Sequence, residues 1–145
     1  MRRLCVTLLA VLALVSSACG GSSKDPKAAF SDGANAACRK AYTGFKAVGN
    51  PEQSVAGVDA WVGKVEPLFT TLQSDLKALT PPPGDEQKVQ AMISAVGAVT
   101  TQLDALKTAV DNGDLAGLNA ASQSFQTAAD NAQSVFKNYG LTNCA

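Results

Sequence analysis

The sequence predicts an all-α protein, an up-down-up-down four-helix bundle that follows a signal peptide and a flexible tether. Three observations carry that expectation. Apolar side chains recur at alternating spacings of three and four along four separate segments, which keeps them on one face of a helix and which no strand preserves. Breaks rich in glycine and proline, each with recognisable capping residues, separate the segments. The breaks are short, so consecutive helices must run antiparallel, and four apolar seams of similar length have only one another to bury against.

In the first segment Ser31, Ala34, Cys38, Ala41, Phe45 and Val48 hold the spacing, although Gly33 and the small side chains weaken the N-terminal half of that helix. The second carries Val55, Val58, Val62, Val65, Phe69, Leu72, Leu76 and Leu79. Val89, Met92, Val96, Val99, Leu103, Leu106 and Val110 mark the third. The fourth repeats the pattern with smaller side chains: Leu115, Leu118, Ser122, Phe125, Ala129, Ala132, Phe136 and Tyr139.

The breaks have their own chemistry. Gly49 can adopt the positive φ that ends a helix, Asn50 can cap the next, Pro51 suits its first turn, and Gln53 is placed to reach back to the cap. Pro81-Pro82-Pro83-Gly84 forbids helix, and Asp85 and Glu86 favour a new N-terminal dipole. Asn112-Gly113 is a turn signal with Asp114 as the cap of the fourth helix. Gly140 closes that helix, and Leu141 can fold back onto its last turn.

The length of 145 residues allows one domain. Met1-Arg2-Arg3, the apolar run Leu4 to Val15 and the small residues Ser16-Ser17-Ala18 follow the three-part pattern of a secretory signal. That apolar run falls short of the ~20 residues a spanning helix needs. Residues 1–18 are therefore read as a lipoprotein signal peptide, 19–25 as a lipidated Cys19 with a flexible tether, and 26–145 as the bundle. A tether that begins Gly20-Gly21-Ser22-Ser23 has a typical reach of about 15 Å. The expected location is the extracytoplasmic face of the cell membrane, held by the lipid on Cys19. The alternative is an ordinary signal cut after Ala18, which Ser16 and Ala18 also satisfy.

Cysteine arithmetic bears on the same point. Cys5 leaves with the signal, so Cys19, Cys38 and Cys144 remain, an odd number in an oxidising compartment. Acylation of Cys19 accounts for the odd one and leaves Cys38 and Cys144 free to form a disulfide, or to stand as two buried thiols. Small residues before Cys19, an early Cys-Arg-Lys-Ala-Tyr at Cys38 to Tyr42, the Leu79-Thr80-Pro81-Pro82 break and the terminal Tyr139-Gly140-Leu141-Thr142-Asn143-Cys144 resemble small lipoproteins of actinobacteria. The resemblance covers nearly the whole chain, with Ser16 standing where a lipobox prefers leucine. It implies a cell-envelope location and a disulfide across the termini, and it implies no activity.

Composition excludes several classes. Arg2 and Arg3 are two of the twelve basic residues, so the chain beyond Cys19 carries ten Lys and Arg against twelve Asp and Glu. With no concentrated basic face, nucleic acid is not an expected partner. There is no histidine, which removes the usual general base, the commonest zinc ligand and the Glu-x-x-His pairs of di-iron bundles. Glu52, Glu66 and Glu86 form no repeated inward set, and phosphate-loop and nucleophile-elbow motifs do not occur. The expectation is therefore no enzyme, no catalytic residues, no cofactor and no metal.

Two functions remain open. A non-catalytic interaction or structural module of the envelope would contact another protein or the cell wall, and it needs an exposed apolar patch around Trp61 and Leu68, which widen the seam of the second helix. A carrier or sensor would bind a small apolar ligand between the helices, and it needs a cavity, most naturally where Pro67 interrupts the hydrogen bonding of the second helix. Each has a plain structural counterpart: Trp61 and Leu68 closing a groove between helices, and Pro67 merely curving one; the polar, scarcely charged side of the fourth helix, with Gln123, Gln126, Thr127, Asp130, Asn131, Gln133 and Ser134, reads as solvated surface.

Overall fold

The computed structural model describes residues 25–52 and 54–144. The expected signal peptide, Cys19, most of the expected tether and the capping role assigned to Gln53 lie outside the described residues. Four helices follow in order: α1 (Pro26–Val48), α2 (Val55–Lys77), α3 (Glu86–Asp111) and α4 (Leu115–Tyr139). At 23 to 26 residues each they are about 35–39 Å long. They pack as an all-α four-helix bundle. Among the described residues no helix is long and apolar enough to cross a membrane.

Contacts at the two ends show the alternating direction. Late in α1, Phe45 meets Trp61, which is early in α2, while Gly33, early in α1, faces Leu79 just past the end of α2. At one end Phe30, Cys38, Leu76, Val89, Met92, Phe136 and Leu141 share a core; at the other Trp61, Val62, Val65, Leu103, Leu106 and Ala121 do. α3 supplies the largest share of the first core and α2 that of the second, and α4 buries only Ala121, Ala132 and Phe136 fully.

α1 is helical throughout, capped by Asp25, whose carboxylate accepts from the Lys27 amide at 2.9 Å. The glycines that weaken it intrinsically are used for close approach. A Cβ on Gly44 would come within 2.7 Å of Leu68 Cδ2, and one on Gly33 within 2.7 Å of Leu79 Cδ2. The core of its first turns is built by Phe30, 2 % exposed, rather than by Ser31, which is half-buried. Phe30 and Ala34 are one i,i+4 pair on the α2-facing and α4-facing side, so the apolar face is wider than the strict stripe.

The start of α2 corrects the sequence reading. Asn50 and Pro51 lie in the connection, and the cap is Ser54, whose hydroxyl accepts from the Gly57 amide at 3.0 Å. The connection is held from outside: Trp61 Nε1 donates to the Gly49 carbonyl at 2.7 Å, and the Ser54 amide to the Glu52 carbonyl at 2.8 Å. α2 then continues through Pro67, which sits on the exposed side where the missing amide has water nearby.

Asp85 and Glu86 stand at the N-terminus of α3, where their charge favours the helix dipole, and Asp85 has a further role. It stands at the N-cap of α3 without a side-chain cap bond. Its buried carboxylate instead accepts from Lys88 Nζ at 2.6 Å and from the Tyr139 hydroxyl at 3.1 Å, and pairs with Lys27 at 3.7 Å. The start of α3, the end of α4 and the start of α1 thus meet on one carboxylate. The Lys88 ammonium holds Asp85 below the usual aspartate range against the opposing effect of burial, with Tyr139 and Lys27 adding to it. Burial and the adjacent Asp85 push Tyr139 up to about 12.

At the far turn Asp114 caps α4, accepting from the Gly117 amide at 2.9 Å. At its other end Gly140 is left-handed with φ 93, and the Leu141 amide donates back to the Phe136 carbonyl at 3.0 Å. Leu141 is wholly buried, which turns the tail over the bundle. The Asn143 amide donates to Asn35 Oδ1 at 3.2 Å, and Cys144 is joined to Cys38 in a disulfide across 106 residues of sequence.

Two outcomes follow for stability. Replacing both Cys38 and Cys144 by alanine lowers the free energy of unfolding by about 2–5 kcal/mol, because the open chain regains loop entropy; urea titration measures it. For the Asp85 site the sign differs at the two pH extremes. A folded pKa below the unfolded value means stability lost as pH falls below ~4. A raised Tyr139 pKa means stability lost as pH climbs from its ordinary value of 10.0 toward about 12. The alkaline loss should shrink in Tyr139→Phe and the acid loss in Asp85→Asn, both readable as thermal midpoints against pH.

Candidate functional site

Three of the four neighbouring helix pairs pack along their length, but α1 and α4 bring no Cα atoms within 8 Å of each other. At this seam the fourth stripe carries Ala129 and Ala132 where α2 and α3 carry larger apolar groups. A helix seam lined by alanine cannot reach a neighbour that is held away by its own packing on α2. The result is a groove of about 400 Å³.

Phe69 and Leu72 of α2 and Val96 and Val99 of α3 form its floor. Ala41 and Phe45 of α1 and Phe125, Ala129 and Phe136 of α4 form the walls. The rim is polar: Tyr42 on one side, Gln126, Asp130 and Gln133 on the other. One end is closed by the Cys38 to Cys144 bond and Asn143. Four of the chain's five phenylalanines therefore line this one feature. The volume is within the ~300–1,000 Å³ range of small-molecule sites.

The two residues singled out as possible contacts are separated by the fold. Leu68 is half-buried and lines the groove, its methyl groups against Gly44. Trp61 lies in the core at 9 % exposure, edge-on to Phe45 at 6.0 Å and to Phe125 at 5.7 Å between ring centroids, with its indole N–H satisfied by Gly49. It supports two groove walls from behind and presents no surface patch. Pro67 faces solvent, so the groove owes its existence to the α1 and α4 seam and not to a kink at that proline.

Sequence reasoning missed the rim. Gln126, Asp130 and Gln133 read as solvated helix surface, and Tyr42, which the spacing singles out for no role, is 60 % exposed at the mouth. The available signal was the run of alanines in the fourth stripe, which is equally compatible with close helix packing. Among the described residues no group of three or more His, Cys, Asp or Glu is arranged to hold a metal, and all buried side-chain polar atoms are partnered.

Comparison with known protein families, with curated proteins and with solved structures finds no match.

Trp61→Glu should cost more than ~3 kcal/mol of stability, since it removes a buried ring and leaves a carboxylate beside Phe45 and Phe125. Circular dichroism during chemical denaturation checks it; a variant as stable as the parent would place Trp61 outside the core.

Proposed function

We propose that this chain is a lipid-anchored, non-catalytic protein of the extracytoplasmic membrane face whose bundle binds a small apolar ligand in the groove between α1 and α4. The observation that carries the reading is the unfilled seam itself: a cavity of about 400 Å³ walled by phenylalanine, leucine, valine and alanine and edged by hydrogen-bonding groups. Leaving that much apolar surface uncovered forgoes burial worth about 25 cal/mol per Å². An occupant recovers it. The anchor rests on the small residues before Cys19 and the cysteine arithmetic, and on the resemblance to actinobacterial lipoproteins.

In this arrangement the end where α1 begins is the membrane-proximal one, and the tether sets it off by about 15 Å. The opposite tip carries Leu115 at 64 % exposure and Val55 at 36 %. Those two side chains support the second reading, an interaction or structural module that touches an envelope protein or the cell wall through its distal tip.

An uncharged, polarity-sensitive naphthylamine dye should gain fluorescence with the native protein and lose it on unfolding. Ala129→Leu, which fills the groove from α4, should leave the thermal midpoint unchanged or raise it and weaken dye binding about tenfold or more. No enhancement with the native bundle would count against a ligand site and leave the distal tip as the surface to map.

A further inference from the structure

We infer that the groove selects amphiphiles with a cationic head, an apolar chain or ring system ending in an alkylammonium group. This rests on the ligand-binding reading above and deepens it. Asp130 is the one charged residue that lines the groove; its other polar lining residues are Tyr42, Gln126, Gln133 and Asn143. Asp130 accepts from Gln126 Nε2 at 2.8 Å, and among the described residues no lysine or arginine lies within ion-pair distance of it. The nearest elements do carry cations: Lys46 of α1 lies over the Tyr42 ring at 5.5 Å, and Lys137 of α4 shares with Asp130 a neighbouring depression of about 530 Å³. Neither lines the groove.

The mouth therefore offers a carboxylate with no ion-pair partner among the described residues, and the interior offers aromatic walls. Ring faces attract alkylammonium groups and repel anions, most strongly where water is excluded. Lys46 already lies over the Tyr42 ring, so the rings left to a ligand are those of Phe45, Phe69, Phe125 and Phe136. A fatty-acid carboxylate in the same pose would meet Asp130 with no base in the lining to offset it, and a neutral head would gain nothing from either feature.

The test uses decyltrimethylammonium, decyl maltoside and decyl sulfate below their micelle concentrations, titrated into the folded protein. The readout is the emission of Trp61, the chain's one tryptophan, which touches the wall residue Phe125. The ammonium probe should bind about tenfold tighter than the sulfate. That preference should collapse in Asp130→Asn and persist in Asp104→Asn, an exposed acid that does not line the groove and controls for overall charge. Equal binding of the three probes, or a preference that survives Asp130→Asn, overturns the head-group inference and leaves the groove as an apolar site. Failure of all three to bind overturns the ligand reading with it.

Discussion

The two chain-terminal helices of an antiparallel bundle have to be brought together by something, and here it is a covalent bond. α1 and α4 share a seam but do not close it, so α1 is packed along only one flank, on α2. Cys38 lies near the middle of α1, and Cys144 reaches it because Gly140 reverses the chain and Leu141 plugs into the core. The bond replaces part of the packing that the seam lacks. It also forms one end of the groove, so a single linkage both closes the bundle and bounds the site.

Asp85 works beside that bond in a different way. One carboxylate gathers Lys88 from α3, Tyr139 from α4 and Lys27 from α1, and Phe30 stacks edge-on against the same Tyr139 ring at 5.6 Å. Burying a charge is costly unless it is paired and hydrogen-bonded, and every partner here comes from a helix end that must already be in place. The arrangement fixes which ends belong together more than it adds net stability. At the opposite end aromatic rings do the equivalent work, with Trp61 edge-on to Phe45 and Phe125 and its N–H tying down the α1 to α2 connection. The groove lies between two pinned ends, which is how it stays open along the middle.

Periodicity and capping chemistry made most of this fold legible. The three-and-four stripes, the Asp114 cap, the left-handed Gly140 and the inward turn of Leu141 are local properties, and local properties can be read from sequence. The start of α2 was not local: Asn50 and Ser54 are both competent caps, and a tertiary hydrogen bond from Trp61 decides between them. Asp85 was legible as a dipole residue at the start of α3, but two of its three partners, Tyr139 and Lys27, lie at distant points in the chain, so the cluster was not. The groove was hidden for a related reason. A helical stripe says which residues face inward, but the distance between two helices depends on what their other neighbours allow, and alanines at Ala129 and Ala132 suit a tight seam as well as an open one. Trp61 on the flank of a stripe was likewise ambiguous until Phe125 of α4 was seen to cover it.

Native mass spectrometry of the protein extracted in mild detergent from the cells that make it tests the account most directly. The account predicts a chain acylated at Cys19, a bond between Cys38 and Cys144 that opens only on reduction, and a small molecule that is retained in the native state and released on unfolding. An unacylated chain would contradict the anchor. A fully folded, lipidated protein that carries nothing and takes up no amphiphile would contradict the groove as a binding site.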